Sequence, residues 1–91
     1  MTFSHEYYRK LDHALSALIE GLKSTYPNSD WSEVLEFIDH GEYGLAFESL
    51  CDEVRQRRAK LSSAEFTSLY ELCSMMGLDE SVLNEIDHST D

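Results

Sequence analysis

Asp30-Trp31-Ser32-Glu33-Val34-Leu35-Glu36-Phe37-Ile38-Asp39-His40-Gly41 carries a whole helix, with its own start and stop. Trp31, Val34, Leu35 and Ile38 recur at i, i+3, i+4 and i+7, which is one face of a 3.6-residue helix. Asn28-Ser29-Asp30 is a capping cluster, and Asp30 with Glu33 has capping-box spacing, with Asp in place of the usual Ser or Thr. Gly41 stands where a left-handed C′ residue ends a helix. The reading is a short helix over residues 31–40.

The same signals extend in both directions. Upstream, Leu11, Leu15, Leu18 and Leu22 form one stripe, widened by Ala14 and Ile19. Ser4 is the expected N-cap and Pro27 the barrier beyond Tyr26, giving a first helix over residues 4–24. Downstream, Phe47, Leu50, Cys51 and Val54 share a face, so a third helix covers residues 43–58. Gly44 in its first turn costs about 1 kcal/mol relative to Ala, so a packing or contact reason is expected. Ser62 and Glu65 make a second capping box ahead of Phe66, Leu69, Tyr70, Leu72 and Cys73, and Gly77 ends that helix. Asp79 caps a short fifth segment that offers Val82, Leu83 and Ile86, while residues 88–91 are expected to fray. No sustained period-two alternation and no Asn-Gly or Asp-Gly hairpin competes. The expected fold is all-α: a single domain over residues 1–91, a compact bundle of four main helices plus a short C-terminal helix, with neighbours mostly antiparallel.

A chain of 91 residues with 42% apolar side chains can build one core without metal or disulfide support. Cys51 and Cys73 occupy apolar helical positions and lack C-x-x-C spacing, which reads as two buried thiols in a reducing compartment. The N-terminal residues lack a basic stretch followed by an apolar one, and no run approaches the ~20 apolar residues of a membrane span. A cytoplasmic protein without membrane contact is expected, with a monomer favoured.

Charge is the unusual quantity. Eighteen Asp and Glu oppose seven Lys and Arg, a formal net charge of −11. Such a surface repels nucleic acid and anionic lipid and attracts basic proteins, through an encounter that salt weakens. It also serves simply to keep a small domain soluble. Distribution separates the two readings. Residues 24–54 hold eight acids and no Lys or Arg, and residues 61–91 hold seven more acids and again no base. Arg55, Arg57, Arg58 and Lys60 crowd the end of helix three, where they suit the helix dipole. Glu33 and Glu36 fall on the outer face of helix two, and Glu48 and Asp52 form a like-charged i, i+4 pair on helix three. Such a pair is destabilising by roughly 0.2–0.5 kcal/mol. A face chosen for stability mixes signs, so an unpaired acidic face across two helices fits a cationic partner better.

Little points to catalysis. His5, His13, His40 and His88 are too scattered for metal-ligand spacing, and no phosphate-cradling glycine loop or nucleophile motif is present. His40 beside Asp39 and Glu42 brings acid–base groups together, yet a cation at a helix C-terminus accounts for it more simply. No EF-hand spacing supports a divalent cation. No enzyme activity, metal or cofactor is expected. A nucleic-acid-mimicking surface remains open, because it uses the same carboxylates.

Phe37-Ile38-Asp39-His40-Gly41-Glu42-Tyr43-Gly44-Leu45-Ala46-Phe47-Glu48-Ser49-Leu50-Cys51-Asp52 is the most distinctive stretch. Gly41 turns a sharp corner, Gly44 permits another backbone to approach, and Glu42 sits where the dipole of helix three favours negative charge. Tyr43 offers an amphipathic ring for the corner or for an interface. The stretch resembles the MafI-like small bacterial immunity proteins, related in role to those of contact-dependent growth inhibition systems. The resemblance is strongest over residues 31–78. It implies a protein that binds and neutralises a cognate secreted toxin, through the toxin's C-terminal domain, a nuclease with a basic surface being the expected class. The residues expected to bind are Glu33, Glu36, Asp39, Glu42, Tyr43, Glu48 and Asp52, with no direct nucleic-acid contact. The alternative is an acidic regulatory adaptor or nucleic-acid mimic that binds a basic nucleic-acid-binding protein.

Overall fold

The computed structural model describes residues 5–89. Four helices follow in order: α1 (His5–Thr25), α2 (Ser32–Asp39), α3 (Tyr43–Gln56) and α4 (Ser63–Met75), then a single 3₁₀ turn at Glu80–Leu83. Among the described residues there is no strand, only an isolated parallel bridge between Leu61 and His88. The all-α bundle is therefore as the sequence predicts, with the fifth segment 3₁₀ in place of α. The proposed cap at Ser4 lies outside the described residues.

The apolar stripes face one another. Leu11, Leu15, Leu18, Ile19 and Leu22 of α1 meet a core built around Phe47 and Leu50 of α3 and Leu69 and Leu72 of α4, all buried. Full burial of such a side chain contributes roughly 1.5–3 kcal/mol before entropy is charged against it. α1 packs chiefly on α4 and α2 chiefly on α3, while the 3₁₀ turn rests on α3 and α4. The chain leaves α2 and re-enters at α3 through Gly41 and Glu42, so the two acidic helices meet at a tight corner.

Three helices end in the same left-handed turn. At the end of α2, Gly41 (φ +71°) donates to Ile38 O at 3.0 Å and Glu42 N donates to Phe37 O at 2.9 Å. Gly77 (φ +67°) repeats the pattern after α4, donating to Ser74 O at 3.1 Å while Leu78 N reaches Cys73 O at 3.1 Å. These paired bonds are Schellman motifs. α3 closes identically, but on Arg58 at φ +50°. A side chain there costs roughly 1–2 kcal/mol.

Several expectations are corrected. The Asp30–Glu33 capping box does not form. Trp31 takes the N-cap position with no side-chain cap bond. The Asp30 carboxylate closes an Asx turn instead, accepting from Ser32 N at 3.0 Å and Ser32 Oγ at 2.6 Å. Burial of the Trp31 ring at 4% exposure fixes that geometry. The Ser62–Glu65 box does form, with Glu65 N donating to Ser62 Oγ at 3.0 Å and Ser62 N to Glu65 Oε1 at 2.8 Å. His88, placed in the fraying segment, is held down. Leu61 N donates to Asp87 O at 3.0 Å, Ser89 N donates to Leu61 O at 2.9 Å, and the His88 ring stacks on Phe66 with centroids 3.6 Å apart. Gly44 has no internal packing reason, because a Cβ there would meet nothing of the chain within 4 Å outside its own helix.

Candidate functional site

Of the seven residues expected to bind, Glu33, Glu36 and Glu42 converge. With Phe37 and His40 they line a shallow groove of about 300 Å³ at the α2–α3 corner. Local structure explains the convergence: Glu33 and Glu36 are one turn apart on the outer face of α2, and the Gly41 turn swings Glu42 back beside them. His40, the C-cap residue, donates from Nδ1 to the carbonyl of Glu36 at 2.8 Å. Its ring therefore folds back on the last turn of α2, sharing the Glu36 carbonyl with the His40 backbone N–H, which donates to it at 3.2 Å. Asp39 and Glu48 are exposed but lie outside the groove.

Asp52 is not part of an unpaired face. Its Oδ1 lies 2.8 Å from Nη1 of Arg55, and next to it Glu53 Oε2 lies 2.9 Å from Nε of Arg57. The clustered arginines fold back along α3 at i, i+3 and i, i+4 and neutralise its C-terminal half. Among the described residues no ion pair engages Glu33, Glu36, Asp39, Glu42 or Glu48. An unpaired negative surface thus covers α2, the corner and the first turns of α3; among the described residues Glu71, Glu80 and Glu85 likewise take part in no ion pair.

Tyr43, the first residue of α3, is half-buried. Its hydroxyl donates to Asp12 Oδ2 at 3.3 Å, and its ring stacks on Tyr8 with centroids 6.0 Å apart and planes at 25°. Burial, then the Asp12 carboxylate, raise its pKa, so it stays a neutral phenol and a rigid wall. Both rings line a hollow of about 420 Å³, together with Gly41, Gly44, Leu45, Met76 and Leu78. They also line a larger hollow of about 1200 Å³ that reaches Arg9, Lys10 and Met75. The first hollow shares Glu42 with the acidic groove and shares Tyr8 and Tyr43 with the second. The three depressions are therefore neighbours on the surface, related through these shared residues.

Sequence reasoning missed the apolar residues around these hollows. Tyr8, Leu45 and Met75 remain 41%, 46% and 37% exposed. Leu45 gave a usable signal, since it falls off the Phe47, Leu50, Cys51 and Val54 stripe. The pairing of Tyr8 with Tyr43 joins α1 to α3 and had no local signature.

Among the described residues no group of three or more His, Cys, Asp or Glu is placed to hold a metal ion. Burial pushes the Cys51 thiol up to about 12 and raises Cys73 as well, so neither presents a thiolate at neutral pH. No described helix is long and apolar enough to cross a membrane. No protein family, curated protein or solved structure matches the chain.

Proposed function

We propose that this chain is an immunity-type binding protein that neutralises a cognate toxin in the cytoplasm of the cell that makes it. The observation that carries the reading is the set of carboxylates at the α2–α3 corner, Glu33, Glu36 and Glu42, grouped in one groove without a cationic partner of their own. Neighbouring like charges destabilise the free protein slightly, and a cationic partner relieves that repulsion. Toxins that cleave nucleic acid present such a surface, because binding phosphates requires Lys and Arg. The resemblance of residues 31–78 to MafI-like immunity proteins points the same way.

Glu33, Glu36 and Glu42 supply the charge and Tyr43 a pre-set aromatic anchor of the type favoured at interface hot spots. Asp39 and Glu48 extend the field around them, whereas Asp52 serves the fold. Nothing in the groove performs chemistry on the partner; inhibition comes from occupying its basic surface. Coexpression with the product of the gene immediately upstream tests the proposal. Rescue of growth and a co-eluting complex on a sizing column are expected. No rescue and no complex refutes the toxin reading, and recovery of nucleoid or ribosomal proteins in its place supports a nucleic-acid mimic.

A further inference from the structure

The hollow between the Tyr8–Tyr43 stack and Glu42 has the features of a socket. Its walls include Tyr8, Leu45, Met76 and Leu78, its lining includes Gly41 and Gly44, and Glu42 lines both it and the acidic groove. Gly41 is required by its positive φ, but Gly44 is not. Gly44 sits in the first turn of a helix, where Ala is the better residue, and beyond its neighbours and its own helix backbone no described atom lies within 4 Å of its missing Cβ. The space kept clear lies outside the fold. Leu45, at 46% exposure, is likewise an apolar side chain that the core does not use.

Charge identifies the occupant. A second copy of this chain would bring another −11 to the same place, which long-range repulsion opposes. A cationic segment is attracted by the same field and meets Glu42, Glu36 and Glu33 on arrival. We propose that the hollow takes one apolar side chain from a basic segment of a protein partner. The partner's backbone passes over Gly44, and a Lys or Arg flanking the anchor reaches Glu42 and Glu36. This deepens the proposed function and rests on its cationic protein partner; what it adds is an apolar socket and a backbone path.

The test uses a displayed library of random 12-residue peptides selected on the wild-type protein. Winning peptides are expected to pair an aromatic or aliphatic residue with nearby Lys or Arg. They are expected to shift the amide resonances of Gly41, Gly44 and Leu45, and to bind Gly44→Leu at least tenfold more weakly. Gly44→Ala controls for folding: its Tm should rise by about 2–5 °C while peptide affinity falls at least threefold. Stability and binding then move in opposite directions, which loss of structure cannot produce. Winners without basic residues, or with unchanged affinity for Gly44→Leu, overturn the proposal. So does a wild-type dimer in sedimentation equilibrium that Gly44→Leu disperses. With a toxin in hand, a complex weakened by Glu33→Lys with Glu36→Lys but not by Gly44→Leu sinks the socket and leaves the acidic-face reading standing.

Discussion

Arg55→Ala should be among the most damaging changes at a partly exposed position in this protein. The guanidinium lies at the end of α3 and reaches three places. Nε donates to Asn84 O at 3.1 Å, Nη2 donates to Val82 O, and Nη1 pairs with Asp52 Oδ1 at 2.8 Å. Two of these bonds hold the segment that brings Leu83 and Ile86 into the core. A hydrogen bond from a charged group contributes roughly 1.5–3 kcal/mol, and water access to the freed carbonyls reduces that to about 1 kcal/mol each. The Asp52 pair adds only about 0–0.5 kcal/mol, since the Asp52 side chain is 65% exposed. The sum, about 2–2.5 kcal/mol, corresponds to a fall in Tm of about 8–20 °C for a domain of this size. Asp52→Asn separates the contributions and should cost no more than about 0.5 kcal/mol. Urea and thermal unfolding followed by circular dichroism at pH 7 measure both. A loss below about 0.5 kcal/mol for Arg55→Ala, or equal losses for the two variants, refutes the clamp. The same geometry separates Asp52 from Glu48 as a probe of the acidic face, because only Asp52 is held by Arg55. A lysine at 52 would face Arg55, so Glu48→Lys alone is the clean probe of that face.

Arg58→Gly removes a side chain from the left-handed region and should stabilise by about 0.5–1 kcal/mol in urea titration, and a destabilising result would mean that the Arg58 side chain holds something worth more than its backbone strain. Glu33→Lys with Glu36→Lys should leave stability within about 0.5 kcal/mol while slowing association with a cationic partner at least about tenfold and flattening its salt dependence. Stopped-flow measurements at two ionic strengths check this, with Glu71→Lys on the outside of α4 as the control that should change little. Cys51, raised by burial from 9.0 to about 12, should resist thiol reagents in the folded protein at pH 8. Because its folded pKa is the higher one, it favours folding fully below pH 9, and that contribution is lost as pH rises toward 12. Alkaline unfolding curves for wild type and Cys51→Ser test the sign, and a stability that climbs over that range contradicts it.

The architecture was legible because the apolar face of each helix, and several of the helix ends, are marked locally. Leu11 to Leu22 repeat on one face, Ser62 and Glu65 close a capping box, and Gly41 and Gly77 both adopt the positive φ their positions call for. Local rules failed where a tertiary contact outweighed them. Burial of Trp31 displaced the Asp30 cap, and the pairing of Leu61 with Asp87, His88 and Ser89 ordered a segment whose composition reads as loose. The candidate site divided along the same line. Carboxylates on α2 and at the corner could be grouped by helical spacing alone. The engagement of Asp52 by Arg55 could also have been read from its i, i+3 spacing, had the cluster of bases been assigned to neighbours as well as to the dipole. The Tyr8–Tyr43 stack joins residues on two different helices, and no periodicity within either one reports it.

The bond from the Tyr7 hydroxyl to the carbonyl of Met75, at 2.9 Å, spans 68 residues of sequence. A ribosome adding about 5–20 residues per second takes roughly 3–14 s to deliver the second partner after the first. Through that interval the leucine stripe of α1 has no α4 to cover it. α2 and α3, which pack chiefly on each other, can pair while synthesis continues. This connectivity favours an order of assembly in which α2 and α3 pair before α1 docks on α4. High negative charge along the emerging chain keeps such intermediates apart on a crowded polysome, a benefit distinct from any partner the finished protein meets.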